Sequence, residues 1–164
     1  MRAFERLADI FAIFSGAILL SIVGVTTTNT SAFIADRLVR LFGGNVSGLP
    51  GYEDFVSLAI SGAALMFLPY CQAQRGHVQV DLFMKIVSDR VRRNFDLVWL
   101  AVTCLVALFL AYWLFYGLLE VRDDAVVTSV LGWPVWPFYI PGILSMLLWA
   151  GVAAAQIREG WFNA

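Results

Sequence analysis

Four long stretches of this sequence contain no charged residue, and they constrain the fold more than any other feature. They cover residues 10–35, 55–74, 97–119 and 125–157. A helix rises about 1.5 Å per residue and the hydrocarbon core of a bilayer is about 30 Å thick, so about 20 apolar residues cross it. The chain is therefore predicted to be an all-α integral membrane protein with four transmembrane helices and additional interfacial amphipathic helices.

The composition agrees with a membrane protein. Sixty per cent of the 164 residues are apolar and 14 per cent are charged, whereas about a quarter of the residues in soluble domains are charged. We predict a single membrane domain over residues 1–164, with spans at about 10–33, 55–74, 97–119 and 138–157.

The fourth stretch is too long for one simple span. Pro134, Pro137 and Pro141 interrupt its first half, and proline is tolerated at the start of a helix but not in its interior. This pattern favours a helix that begins near Phe138. The sequence leaves open whether the helix begins before or after Pro141.

The first stretch has a second interpretation, as a secretory signal peptide. Its apolar segment is too long for one, and the polar residues 26–31 form a poor cleavage context. We expect an uncleaved helix whose polar end reaches the far membrane interface. A lining for a water-filled cavity is the other interpretation of the polar block.

The basic residues predict the topology. Eight of the eleven lysines and arginines lie in the N-terminal segment, the middle loop and the C-terminal segment. Cytoplasmic segments carry the excess of Lys and Arg in membrane proteins, so both ends of the chain are predicted to be cytoplasmic. Four tryptophans near the span ends are predicted interfacial anchors, because amphipathic rings prefer the headgroup level; they are Trp99, Trp133, Trp136 and Trp161.

The middle loop shows a helical pattern of apolar residues. From Val80 to Phe95 they recur at spacings of three and four, with basic residues opposite. This pattern predicts a cytoplasmic surface helix over about 79–95, lying on lipid phosphates; a helix packed on a soluble partner domain is the alternative. Residues 33–42 show a weaker version, which Gly43 and Gly44 should end.

Ionisable acidic, basic and histidine side chains are absent from the predicted spans. These spans contain no Asp, Glu, Lys, Arg or His, although such residues usually mark ion paths and proton relays. Cys71 and Cys104 lie in apolar surroundings and are expected to be buried, unpaired residues. The net charge of −1 excludes a basic nucleic-acid-binding face. We therefore expect no catalytic, cofactor-binding or metal site, and a subunit whose function depends on a partner.

The most distinctive segment surrounds the second span. Glu53 precedes the span, and residues 74–82 after it read Gln-Arg-Gly-His-Val-Gln-Val-Asp-Leu. This segment resembles the small membrane subunit of tripartite ATP-independent periplasmic (TRAP) transporters, in which a Glu opens span two and a Gly-His-hydrophobic-x-Val-Asp motif follows it. The positions that match are Glu53, Gly76, His77, Val78, Val80 and Asp81. Chain length, number of spans and charge bias are also similar.

The resemblance implies a role without catalysis. It implies a bacterial inner-membrane protein that pairs with a large multi-span subunit, which carries the substrate and sodium sites of a symporter, and with a periplasmic substrate-binding protein. The small subunit would be a static scaffold for the elevator-like large subunit and would help to dock the binding protein during organic-acid uptake. No cofactor is expected in this chain; membrane lipid, including a bound phospholipid, is an expected partner.

Two groups of residues are candidates for these contacts. At the cytoplasmic end of span two, Arg75, His77 and Asp81 are hypothesised to fix the corner where the chain turns from the span to the surface helix, and its contact with the large subunit. Gly76 would supply the backbone freedom for this turn. Between spans three and four, the charged residues are predicted to dock the binding protein; they are Glu120, Arg122, Asp123 and Asp124. Solvated loop charges are the alternative interpretation of both groups.

Two other functions fit a four-span subunit. One is the small subunit of a tripartite tricarboxylate transporter, which the motif at residues 76–81 disfavours. The other is the membrane anchor of a redox complex, in which His77, the only histidine, would supply one haem ligand.

Overall fold

The computed structural model describes residues 2–74 and 89–162, and within these ranges the chain is helical apart from its loops. Helix α1 covers Arg2–Arg40, α2 covers Tyr52–Met66, α3 covers Leu68–Ala73, α4 covers Asp89–Asp123 and α5 covers Tyr139–Phe162. A 3₁₀ turn at Trp136–Phe138 precedes α5. Four helical segments are long and apolar enough to cross a membrane, which confirms the predicted all-α, four-span fold.

Helix α5 is the centre of the bundle. It packs against α4 along most of its length and also against α3, α2 and α1. Helix α1 packs mainly on α2 and α3. We call the end with the N-terminus, Gln74 and Asp89 the proximal end, and the end with the α1–α2 and α4–α5 connections the distal end.

Small side chains allow the helices to approach closely. The buried residues include seven alanines, at positions 8, 59, 63, 107, 111, 150 and 153. Helices in a bilayer associate through close packing and hydrogen bonds, because lipid tails are as apolar as leucine. The core therefore combines many small residues with a few large apolar ones, such as Met146 and Leu148.

Buried hydroxyl groups connect the helices inside the spans. The Ser15 hydroxyl donates to the Ala63 carbonyl oxygen at 2.7 Å, which joins α1 to α2. The Ser145 hydroxyl donates to the Leu65 carbonyl oxygen at 2.6 Å, which joins α5 to α2. Both serines are fully buried, so each hydroxyl is satisfied without water.

Three helix limits add to the sequence analysis. Helix α5 begins at Tyr139, so Pro141 lies in its first turn, where the missing N–H removes no helical hydrogen bond. Residues 33–40 continue α1 without a break. Of the predicted surface helix, residues 79–88 lie outside the described residues, and residues 89–95 are the first two turns of α4.

Candidate functional site

The distal end contains a small hairpin that α2 holds in place. The Val126 carbonyl oxygen accepts from the Val135 amide, and Thr128 and Trp133 bond through their backbones. Asp54, in the first turn of α2, accepts hydrogen bonds at one oxygen from the amides of Val130 and Leu131, at 2.8 and 3.0 Å. A carboxylate that accepts two N–H groups fixes this turn.

Gly51 permits this contact between α2 and the hairpin. Its φ is +76°, a left-handed conformation that L-residues rarely adopt. A Cβ atom here would lie 2.6 Å from the Leu131 side chain. Glycine therefore supplies both the turn into α2 and the space for the hairpin.

The predicted docking residues lie beside this hairpin, at the end of α4. Glu120, Asp123 and Asp124 are exposed. The Arg122 guanidinium lies over the Trp136 ring, 5.8 Å from its centre, a cation–π arrangement that joins the end of α4 to the 3₁₀ turn. Three carboxylates therefore face solvent on the distal surface, whereas the arginine contacts its own chain.

Glu53 lies at the distal end, close to the hairpin. It is exposed and accepts a hydrogen bond from the Tyr52 hydroxyl at 3.1 Å. Helices α2 and α3 separate it from Gln74 by about 30 Å, at 1.5 Å per residue. Arg75 and the remaining motif residues lie outside the described residues; these motif residues are Gly76, His77, Val78, Val80 and Asp81.

The predicted tryptophan anchors occupy both ends of the bundle. Trp99 is exposed on α4, toward the proximal end, and Trp133 is exposed in the distal hairpin. Trp133 also stacks on Phe138, with ring centres 6.5 Å apart. Trp136 is half-buried under Arg122, and the side chain of Trp161 lies outside the described residues.

Sequence analysis missed four polar residues that organise the structure. Gln72 and Gln156 bond to each other between α3 and α5. Asn29 and Asp36, on α1, accept backbone N–H groups of the following loop. All four are buried. Gln72 and Gln156 stand out as polar residues in otherwise apolar stretches, which is the signal that could have revealed them.

Nothing in the described part of the chain resembles a metal site: it contains no group of three or more Cys, His, Asp or Glu side chains placed to hold an ion. Within residues 2–74 and 89–162, every buried side-chain nitrogen or oxygen has a hydrogen-bond partner.

Long apolar faces of α1 and α4 point away from the bundle. Helix α4 exposes an aromatic series near its distal half, in which neighbouring rings contact each other; its members are Phe109, Tyr112, Trp113, Phe115 and Tyr116. Lipid tails or a partner must cover such faces in a membrane protein.

Comparison with known proteins gives one match. Searches of curated proteins and of solved structures found no similar protein. The family model described as tripartite ATP-independent periplasmic transporters, DctQ component, matches residues 29–163. This match covers α2 to α5 and the distal part of α1, and so includes every described site residue discussed above. The chain therefore belongs to the DctQ family, the small membrane component of TRAP transporters.

Proposed function

We propose that this chain is the static scaffold of its transporter. In this role it supports a large, sodium-coupled elevator subunit during the uptake of an organic acid across a bacterial inner membrane. Both chain ends lie in the cytoplasm, so the distal end faces the periplasm. The observation that carries the proposal is the internal bracing of the bundle: buried polar groups of the described spans bond to neighbouring helices of the same chain.

Internal bracing supports a static role for two reasons. Hydrogen bonds from Ser15, Ser145 and Gln72 join α1, α2, α3 and α5 into one unit. An ion or substrate path needs polar groups that are open to the passing solute, and no charged residue lies in the predicted spans. The moving parts and the transport sites are therefore assigned to the large subunit.

The aromatic face of α4 is the surface that we assign to the large subunit. Tyr112 lies about 6 Å from the middle of the predicted span 97–119, at 1.5 Å per residue, yet its side chain is 55 per cent exposed. Tyr116, beside it, is also exposed, and Tyr is enriched at protein interfaces because its ring is apolar and its hydroxyl is polar. The exposed face of α1 is largely aliphatic in the membrane and suits lipid.

The distal carboxylates are assigned to the periplasmic binding protein. Glu120, Asp123 and Asp124 are exposed beside the hairpin, where charge pairs would steer a soluble partner. Reversing the charge of Asp123 and Asp124 to Lys should raise the concentration of binding protein that gives half-maximal uptake. An unchanged value at low ionic strength would remove these residues from the docking surface.

Co-purification tests the assignment as a subunit. A tagged chain, extracted gently from its native host, should bring down a large multi-span membrane protein in fixed ratio. Recovery of the chain alone, or with a haem-bearing enzyme, would contradict the proposal.

Cross-linking within the chain tests the static role. Replacing Ser15 and Ala63 by cysteine, with Cys71 and Cys104 replaced by alanine, places two thiols at the α1–α2 contact. Oxidising them to a disulfide, a link short enough for two helices in contact, should leave sodium-driven uptake unchanged in the assembled transporter, because a scaffold need not rearrange. Loss of uptake only in the cross-linked sample, with the unlinked variant active, would show that α1 and α2 move during transport.

A further inference from the structure

The distal end of α1 extends far beyond the start of α2. The Ser15 hydroxyl contacts the Ala63 carbonyl, so these two residues lie at one level. Tyr52 begins α2 eleven residues before Ala63, and eleven residues after Ser15 is Thr26. Helix α1 continues to Arg40, which is about 20 Å beyond the start of α2 at 1.5 Å per residue.

The following loop returns along this extension and stiffens it. The Val46 amide donates to Asp36 at 3.0 Å, and the Leu49 amide donates to Asn29 at 2.9 Å. Asp36 also pairs with Arg40 at 2.7 Å. We call residues 30–49 the α1 arm. Its helical part and the returning loop are joined by hydrogen bonds to the buried side chains of Asn29 and Asp36, so the arm is held together within the chain.

The outer face of the α1 arm is apolar. Ile34, Leu38, Leu41 and Phe42 are all more than half exposed, and Leu41 and Phe42 reach 79 and 90 per cent. Ile34 and Leu38, four residues apart, lie on one side of the helix, and Leu41 and Phe42 follow in the turn after its last residue, Arg40. The side that faces the returning loop carries Asn29 and Asp36, so the apolar face is turned away from the chain itself.

Lipid cannot cover the tip of the arm. The headgroup layer adds about 5–7 Å to each side of the hydrocarbon core. Leu41 lies about 20 Å beyond the level of Tyr52, and a tilt of about 40° would reduce this only to about 15 Å. We take Tyr52, Glu53 and Asp54, at the start of the second candidate span, as the level of the membrane boundary on this side. The tip is therefore on the aqueous side of the headgroups.

We propose that the α1 arm is a docking element for a water-soluble protein on the distal side of the membrane, whose contact patch is apolar and bordered by carboxylates. The charge of the arm supports this choice: Arg37 is exposed beside the apolar face, whereas the charge of Arg40 is paired with Asp36. The Arg37 charge is opposite in sign to the carboxylates at the end of α4, so a partner that contacts both sites is held in one orientation. With the proposed function, on which this inference rests, the partner is the secreted substrate-binding protein.

Accessibility tests the position of the arm. In a transporter without Cys71 and Cys104, reconstituted in vesicles with the distal side outward, Leu41→Cys should react with a membrane-impermeant maleimide without detergent. Leu105→Cys is the matched control, because Leu105 is similarly exposed but lies in the third span; it should not react. A Leu41→Cys that reacts only after detergent is added would place the arm in the bilayer and overturn the proposal.

Titration with the binding protein tests the docking. Leu41→Ser with Phe42→Ser should raise the half-saturating concentration of binding protein about tenfold, since two apolar contacts are lost, and should leave maximal uptake unchanged. Val91→Ser, an exposed change at the proximal end of α4, lies on the opposite side of the membrane and should have no effect. Binding-protein-dependent uptake that the arm variant does not alter would overturn the arm alone. Absence of a large-subunit complex would instead overturn the proposed function. Cross-links from a photoreactive group at Leu38 to the large subunit or to a second copy would also contradict the docking assignment.

Discussion

Gln72 and Gln156 bond to each other twice across the α3–α5 contact. The Gln72 amide nitrogen donates to the Gln156 side-chain oxygen at 2.6 Å, and the Gln156 amide nitrogen donates to the Gln72 carbonyl oxygen at 2.8 Å. The Trp149 indole also donates to the Gln72 side-chain oxygen at 3.3 Å. Both glutamines are about 95 per cent buried, so this network closes the proximal end of the bundle without water.

The two single glutamine changes together should cost more free energy of unfolding than the double change. Gln156→Leu leaves the Gln72 amide nitrogen buried without a partner, which costs about 1–2 kcal/mol in a membrane. Gln72→Leu together with Gln156→Leu removes both amides, so its cost should be smaller than the sum of the single changes. Thermal unfolding of the four proteins in one detergent measures the coupling, and strictly additive losses would show that the two side chains act independently.

Asp54 should control the local order of the distal hairpin. In Asp54→Ala the amides of Val130 and Leu131 lose their acceptor, and their hydrogen exchange should accelerate about tenfold or more, as expected for loss of a charge-assisted bond. Asp54→Asn is the matched control, because its side-chain oxygen can still accept; it should preserve most of the protection. Equal amide hydrogen exchange in all three proteins would show that the hairpin turn is stable without the Asp54 contact.

Two helix ends with the same geometry should respond in opposite ways to exchanging alanine and glycine. Helix α1 ends with Gly43 at φ +79°, and the Gly44 amide donates to the Val39 carbonyl; α4 ends with Ala125 at φ +49°, and the Val126 amide donates to the Val121 carbonyl. A left-handed residue with a Cβ is strained by about 1–2 kcal/mol. Ala125→Gly should therefore raise the unfolding temperature, and Gly43→Ala should lower it. Shifts of the same sign would contradict this account.

Sequence patterns predicted the helices of this fold because each span is a long apolar stretch and each helix end has a physical marker. Gly43 ends α1 through its backbone conformation, and Tyr139 begins α5 just before a proline that fits the first turn. The buried contacts were not predictable in the same way. Gln72 and Gln156 are 84 residues apart, and only the packing of α3 on α5 shows that two amides in apolar stretches satisfy each other.

The candidate site was predictable only where the residues themselves carry charge. Glu120, Asp123 and Asp124 are polar residues in a short connection, so their exposure follows from their type. The contact of Arg122 with Trp136 depends on how the chain turns between α4 and α5. The length of the α1 arm depends on the level at which α2 begins, which the sequence does not state.

The predicted corner after span two, which contains His77 and Asp81, should affect assembly with the large subunit, and uptake only through that assembly. Asp81→Ala, which removes the proposed acceptor for His77 or for the start of the surface helix, should reduce recovery of the large subunit and uptake in the same proportion. Asp81→Asn keeps an acceptor oxygen and should recover part of both. Intact assembly with full uptake in Asp81→Ala would reject the hypothesis.

The exposed faces of α4 and α1 should have different neighbours in the assembled transporter. Tyr112 packs on Tyr116, with ring centres 4.7 Å apart and ring planes tilted by 49°, so two aromatic rings with hydroxyl groups lie on the face of α4 that points away from the bundle. Ile13 on α1 is 72 per cent exposed and has no polar group to satisfy. A photoreactive group placed at Tyr112 should therefore cross-link to the large subunit, and the same group at Ile13 should cross-link to lipid. Tyr112→Phe with Tyr116→Phe, which keeps the rings and removes the hydroxyls, should weaken recovery of the complex less than Tyr112→Ala with Tyr116→Ala. If the group at Ile13 captures the large subunit and the group at Tyr112 captures lipid, the assignment is wrong, because α1 then forms the contact between subunits and α4 faces lipid.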